Sequence, residues 1–142
     1  MSKNEFYPAL QDQFFNACKG GNIKRVRQLL NKIDPSVNNN AAFREACSRA
    51  RYAIVDLLLQ DSRVDPTDRG NEAFHVACYE GNIRLVKLLL QCPRIDSFQT
   101  YMTYQSFNSV KNFTKEKDKK IYNLLTEHQF RLDGPEYTKN IL

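Results

Sequence analysis

The sequence of 142 residues lacks any long apolar run and contains little glycine or proline. Its longest aliphatic runs are three leucines at 57–59 and at 88–90, far short of the ~20 apolar residues that a membrane helix needs. Five glycines and five prolines exclude a collagen-like or linker-like chain. The first residues carry no apolar run like that of a signal peptide, so we expect a soluble protein that is not exported by that route.

The composition is that of an ordinary globular protein, with 42% hydrophobic and 26% charged residues. The length of the chain predicts one domain over residues 1–142. The cysteines carry the first specific signal. Cys18, Cys47 and Cys78 each follow an alanine and lie 29 and 31 residues apart. Disulfide frameworks seldom repeat one local context, so this recurrence indicates a repeated structural slot.

Three segments align on these Ala-Cys pairs. A phenylalanine stands three residues before each alanine, and an aspartate closes each segment. The phenylalanines are Phe14, Phe43 and Phe74, and the aspartates are Asp34, Asp65 and Asp96. A period near 31 residues predicts a solenoid in which each unit buries its apolar face only by stacking on its neighbours.

Each unit is predicted to contain two short helices. In the third unit, Phe74, Ala77 and Cys78 share one helix face, and Gly81 ends that helix because glycine tolerates positive φ. The apolar stripe of the second helix is Ile83, Val86, Leu89 and Leu90. Asn38, Asn39 and Asn40 fall at the tip between units, where asparagine also tolerates positive φ.

The pattern resembles the ankyrin repeat. Against the family stretch Gly-x-Thr-Pro-Leu-His-x-Ala the chain has Gly-Asn-Glu-Ala-Phe-His-Val-Ala at 70–77, and against Gly-His-Leu-x-x-Val-x-Leu-Leu-Leu it has Gly-Asn-Ile-Arg-Leu-Val-Lys-Leu-Leu-Leu at 81–90. The Thr-Pro pair is missing, and the period is shorter than the family's usual one. Such short units with Arg-Val-Asp-Pro ends look like those of amoebae, giant viruses and amoeba-dwelling bacteria. The resemblance implies an all-α ankyrin-repeat solenoid of helix-turn-helix units with short hairpin-like turns.

The predicted organisation is repeat 1 at 10–37, repeat 2 at 38–68, repeat 3 at 69–97 and a degenerate repeat or C-terminal cap at 98–142. In the last segment, 106–113 would be a short first helix and 119–125 part of a second one. Residues 1–9 are predicted to be a frayed lead-in. Arrays of this kind need polar ends, which gives the last segment its role as a cap.

No residue pattern indicates chemistry. His75 lies one turn from Cys78 without an acidic partner on that face, and there is no CxxC pair and no phosphate loop. We therefore predict no catalysis, no metal and no cofactor. Cys18, Cys47 and Cys78 should be buried and reduced, and Cys92 is the cysteine predicted to be exposed. Reduced thiols favour a cytoplasmic location, which is the host cytoplasm if the source is a virus or an intracellular bacterium.

The resemblance implies a protein–protein interaction module that binds its partner through the concave face and the hairpin tips. Carried over by position, the partner-binding residues are Asn38, Asn40, Ser48, Arg49, Arg69, Asn71, Tyr79 and Glu80. We expect a monomer with an acidic protein partner and no membrane. The alternative is a basic module that docks on nucleic acid or another polyanion, since the net charge is +5. That interpretation is weaker because Lys24, Arg25 and Arg27 fall on a second helix and no aromatic stripe accompanies the charge.

Overall fold

The computed structural model describes residues 3–95 and 116–133, and within these ranges every regular element is an α-helix. The helices are α1 (Lys3–Gly20), α2 (Ile23–Leu30), α3 (Val37–Ser48), α4 (Tyr52–Leu59), α5 (Asp68–Glu80), α6 (Ile83–Leu90) and α7 (Glu116–Asp133). The all-α prediction of paired short helices is confirmed. The lead-in predicted to be frayed is instead helical from Lys3, so α1 is longer than the other first helices.

The chain forms two compact units, Met1–Ala73 and Phe74–Leu142. In the first unit α1 packs against α2 and α3, and α4 packs against α3 and α2. First helices thus neighbour first helices, and second helices neighbour second helices. Helices as short as α2 and α4, with eight residues each, are marginal in isolation, so this two-layer packing is what stabilises them.

The predicted core slots are buried. The three aligned phenylalanines, Phe14, Phe43 and Phe74, are at most 1% exposed, and each Ala-Cys pair is buried as well. Small residues at the pair let two helices approach closely. A buried phenylalanine one turn earlier on the same face supplies apolar area of the kind that dominates core energetics. The aligned positions of the three units therefore share the same burial, as the alignment predicted.

The turn between the two helices of a repeat has left-handed backbone, as predicted. Gly21 has φ +84° and Gly81 has φ +73°, and Ala50 takes the same conformation at φ +55°. After each of them the next N–H bonds back five residues, to the carbonyls of Ala17, Ala46 and Ala77 at 2.8–2.9 Å. This is the Schellman arrangement, which uses otherwise unpaired helix carbonyls.

The second-helix stripe is confirmed in part. Val86, Leu89 and Leu90 are buried, whereas Ile83 is half-buried and Leu85, which the prediction omitted, is 2% exposed. Ile54 fills the Leu85 slot in repeat 2. In repeat 1 the same slot holds Arg25, whose guanidinium donates to Gln13 and Gln28. The slot in repeat 1 is therefore polar and is satisfied by hydrogen bonds rather than by apolar packing.

Helix α7 packs against α6 in the second unit. Its Ile121 and Leu125 are at most 1% exposed, in line with the second helix predicted near 119–125. The short helix predicted at 106–113 lies outside the described residues. No helix in the described ranges is both long enough and apolar enough to cross a membrane.

Candidate functional site

The first two repeats each end in a tip built around the closing aspartate, Asp34 or Asp65. Asp34 Oδ1 accepts from the backbone N of Ser36 at 2.9 Å and from its hydroxyl at 2.6 Å. Asp65 Oδ1 accepts from the same two groups of Thr67 at 2.9 and 2.7 Å. In Asp34 the hydrogen bonds from Ser36 favour the ionised acid and lower the carboxyl pKa. The Asp-Pro-Ser and Asp-Pro-Thr stretches therefore form the same rigid turn.

A run of three left-handed residues follows each of these turns. Asn38, Asn39 and Asn40 have φ of 54–57°, and Arg69, Gly70 and Asn71 have φ of 55–65°. The run closes with a bond from the N–H of Asn40 to Ser36 O at 3.0 Å, and the equivalent bond joins Asn71 to Thr67 at 2.8 Å. Left-handed backbone costs roughly 1–2 kcal/mol for most residues but less for asparagine and glycine. Arg69 is the one residue of the two runs that is neither asparagine nor glycine, so its left-handed backbone costs the most.

Asn40 was expected at the exposed tip, and that expectation is wrong. It is 3% exposed. Its amide donates to Asp68 Oδ2 at 2.6 Å, and its oxygen accepts from the N–H of Asp65 at 2.9 Å. The left-handed run turns this last residue of the triplet inward, so that it joins two successive tips. A buried amide with both ends paired holds the scaffold and is out of a partner's reach.

The other tip residues differ in exposure. Asn38 and Arg69 are exposed, as expected for partner contacts, whereas Asn71 is half-buried. The Oδ1 atom of Asn71 is buried and has no hydrogen-bond partner in the part of the chain described. Asn71 aligns with Asn40, so it too points inward.

A charged cluster joins the two tips of the first unit. Glu72 Oε2 lies 3.1 Å from Arg44 Nη1 and 3.3 Å from Arg69 Nε. Arg44 also donates to the carbonyls of Asn39 at 3.1 Å and Asn38 at 3.4 Å. The cluster therefore ties the first left-handed run to the start of the next first helix. We call it the Arg44–Glu72–Arg69 cluster.

One exposed slot recurs on the first helices, directly after each Ala-Cys pair. Lys19, Ser48 and Tyr79 occupy it, and all three are exposed. The following residues, Arg49 and Glu80, are exposed too, and Arg49 pairs with Glu45 at 2.8 Å. These four of the predicted binding residues, Ser48, Arg49, Tyr79 and Glu80, are thus on the surface.

Tyr79 is the most exposed large hydrophobic residue described, at 72%. Lys117 of α7 donates to the Tyr79 carbonyl at 3.0 Å, and its Nζ lies 5.9 Å from the ring centroid. Val76, 36% exposed, lies one turn before Tyr79. Sequence reasoning missed Val76 and Lys117. Val76 could have been found from its spacing of three residues before Tyr79, on the same helix face.

The cysteines behave as core residues. Burial raises the pKa of Cys18, Cys47 and Cys78 to about 12, so their thiols stay protonated at neutral pH and are poor nucleophiles. All four cysteines are free. The prediction that Cys92 is exposed is wrong, because the turn after α6 folds back through bonds from Cys92 N to Leu89 O and from Ile95 N to Cys92 O, and leaves the residue 8% exposed.

Among the described residues, no group of three or more His, Cys, Asp or Glu side chains is placed to hold a metal ion.

Helix pairs that repeat the same buried positions, with similar tips after the first two of them, define a helical repeat protein. The family model for ankyrin repeats, in three copies, matches residues 14–101. The chain belongs to the ankyrin-repeat family. No curated protein and no solved structure matches it.

Proposed function

We propose that this protein binds another protein through the exposed positions of its first helices and tips, with no catalysis of its own. Ankyrin repeats generally serve as protein–protein interaction modules. The observation that carries the proposal is the slot held by Lys19, Ser48 and Tyr79. Each follows the same buried Ala-Cys pair, yet the three exposed side chains differ in charge, size and polarity. Constant packing beneath a variable surface position suits a scaffold whose role is recognition.

Tyr79 is the strongest candidate anchor for the partner. A tyrosine ring offers a large rigid surface with a polar end, and such residues are enriched at the energetic centres of interfaces. Lys117 places a positive charge beside the tyrosine ring, because its Nζ donates to the Tyr79 carbonyl. Val76 extends the exposed apolar area along the helix. This combination suits a partner segment with an apolar side chain next to an acidic one.

The alternative of docking on nucleic acid or another polyanion draws on the net charge of +5. Several arginines of the first unit donate hydrogen bonds to acceptors within the protein. Arg49 pairs with the carboxylate of Glu45, Arg51 donates to Lys19 O at 3.0 Å, and Arg63 donates to Ile33 O and Leu30 O. Guanidinium groups engaged in this way are poorly placed to release counterions from phosphates, which supports the protein-binding proposal.

Selection of peptides from a phage-displayed random library tests the proposal without a known partner. The dissociation constant of a selected peptide is measured for the parent protein and for Tyr79→Ala. Loss of a hot-spot residue typically costs ~2 kcal/mol or more, so we expect Tyr79→Ala to weaken binding roughly thirtyfold while folding is unchanged. The matched control is the charge reversal Lys24→Glu with Arg27→Glu on exposed positions of α2, which should alter affinity little.

The opposite pattern of effects would contradict binding through the first helices. If charge reversal on α2 abolishes binding while Tyr79→Ala leaves it intact, the first-helix surface is not the binding site. A steep fall of binding with salt, of the kind that phosphate contacts produce, would then favour the polyanion alternative.

A cytoplasmic monomer completes the proposal. The four cysteines are free, and free thiols persist in a reducing compartment. Sedimentation at micromolar concentration checks the monomer, and fractionation of the source cell checks the compartment.

A further inference from the structure

The Arg44–Glu72–Arg69 cluster holds a carboxylate between guanidinium groups of two successive repeats. Arg44 Nη1 and Arg69 Nε approach the same oxygen, Oε2 of Glu72, at 3.1 and 3.3 Å. Two cations therefore converge on one anion that the chain itself supplies. From this geometry we infer that Arg44 and Arg69 form a binding site for a partner's carboxylate, which Glu72 occupies in the free protein.

Arg44 is fixed in place independently of Glu72. Its Nε donates to Asn39 O at 3.1 Å, and Nη2 donates to Asn38 O at 3.4 Å. These carbonyls belong to the left-handed run, whose backbone is braced by the bond from Asn40 N to Ser36 O. The guanidinium therefore keeps its orientation when Glu72 moves away, and a pre-organised donor loses little entropy on binding.

Arg69 supplies the outward half of the site. Its side chain is 53% exposed, and among the described residues its one polar side-chain contact is the approach of Nε to Oε2 of Glu72. Both terminal amino groups thus remain available, in the forked arrangement that matches a carboxylate. The left-handed backbone at Arg69, φ +55°, keeps the residue at the crest of the tip.

Glu72 is weakly enough held to be displaced. Its side chain is 41% exposed, and surface ion pairs contribute little to stability because water and side-chain entropy offset the attraction. Displacement by a partner's carboxylate exchanges one anion for another between the same two cations. Glu72 then acts as a built-in competitor that excludes weak ligands and keeps the arginines paired in the free protein.

This inference rests on the proposed function and names the ligand chemistry of one part of that surface, an acidic segment of the protein partner. The probe is the tripeptide acetyl-Glu-Leu-Glu-amide, with acetyl-Gln-Leu-Gln-amide as its uncharged match. Binding is followed by the NMR shifts of the arginine Nε–Hε groups, with Arg49 as an internal reference. Arg49 also pairs with one glutamate, at 2.8 Å, and within the described ranges no second arginine pairs with that carboxylate.

Glu72→Gln removes the competing charge and should tighten binding of the acidic peptide at Arg44 and Arg69 by about two- to fivefold, the range set by surface ion pairs. Glu45→Gln, which frees the single Arg49, is the matched control and should give no such gain. Arg69→Gln should abolish the saturable shift at Arg44 while leaving the unfolding midpoint unchanged.

The inference is overturned if Glu72→Gln fails to tighten binding, if the uncharged peptide binds equally well, or if a thymidine octamer shifts the two arginines more strongly than the acidic peptide does. Its failure is separable from that of the proposed function. Should Tyr79→Ala weaken the selected peptide while Glu72→Gln changes nothing, recognition through the first helices stands and the carboxylate site does not.

Discussion

The turn within repeat 2 differs from the turns within repeats 1 and 3. Those two use Gly21-Asn22 and Gly81-Asn82, in which glycine takes the left-handed conformation without strain. The asparagine then caps the next helix, with Oδ1 accepting from the N–H of Arg25 or Leu85 at 3.1 Å. Repeat 2 has Ala50-Arg51 instead. Its alanine carries a Cβ into left-handed backbone, and Arg51 makes no side-chain cap bond.

The departure in repeat 2 strengthens the contact between repeats. Arg51 Nε donates to Lys19 O at 3.0 Å, and its side chain lies against Gly21, 3.3 Å from where a Cβ would stand. Lys117 repeats this contact in the second unit: it donates to Tyr79 O and lies over Gly81. A repeat can therefore lack the side-chain cap of its second helix and instead donate a hydrogen bond to the repeat before it. Lys117 of α7 makes the same kind of contact with the first helix before it.

The largest effect is expected from a side chain at Gly21. Gly21→Ala places a Cβ in left-handed backbone and presses it against Arg51, so we expect a loss of about 1–2 kcal/mol in the free energy of unfolding. Urea denaturation measures it. Gly20→Ala is the control: its Cβ meets no atom within 4 Å and its φ is ordinary, so stability should hold or rise slightly. Equal losses at both glycines would contradict the account.

Removing the bond between repeats should have the next largest effect. Arg51→Ala deletes the donor to Lys19 O and the cover over Gly21, at an expected cost of about 1 kcal/mol for a partly exposed hydrogen bond. Arg49→Ala, which breaks only an exposed ion pair with Glu45 on the same helix, should cost a few tenths, roughly 0.3–0.5 kcal/mol. A larger loss of unfolding free energy for Arg49→Ala than for Arg51→Ala would show that the contact with Lys19 contributes little to stability.

Restoring glycine in repeat 2 should stabilise the protein. Ala50→Gly relieves left-handed strain and should raise the free energy of unfolding by about 0.5–1 kcal/mol. The same change ought to slow thiol labelling of Cys47, which is buried three residues earlier and labels only when its surroundings open. Ala53→Gly, in the helical backbone of α4, should have the opposite sign. A lowered midpoint for Ala50→Gly would mean that the strain is absent.

The smallest effect is expected from Arg51→Asn, which converts the turn of repeat 2 toward its counterparts. It supplies the missing cap, worth about 1 kcal/mol, and loses the bond to Lys19 O, worth about the same. Stability should change by less than about 0.5 kcal/mol. If Arg51→Asn is as destabilising as Arg51→Ala, the asparagine caps of repeats 1 and 3 contribute less than their geometry indicates.

Much of this fold could be predicted because its determinants are local. The spacing of Phe74, Ala77 and Cys78 marks one helix face, and Gly81 marks the end of the helix, without knowledge of any distant residue. The confirmed elements are of this kind.

The wrong predictions involve contacts that are distant or depend on how a turn folds back. Asn40 is buried because Asp65 and Asp68, 25 and 28 residues away, offer it an N–H and a carboxylate. The burial of Cys92 depends on the return of the turn after α6. The same limit applies to the candidate site. Tyr79 and Arg69 could be nominated by residue type and position, but the convergence of Arg44 and Arg69 on Glu72 needs the tips of two repeats to be folded first.

The left-handed runs have a consequence for proteolysis. Proteases bind their substrates as extended strands, and exposed tips between elements are their usual points of attack. At 38–40 and 69–71 the backbone coils in the opposite hand from an ordinary helix and presents no extended segment. Trypsin can therefore cut after Arg69 only once the tip has unwound and released Glu72 and Asp68. This exposed site is thus shielded by the handedness of its backbone, and the rate of cleavage there reports how often the tip unwinds.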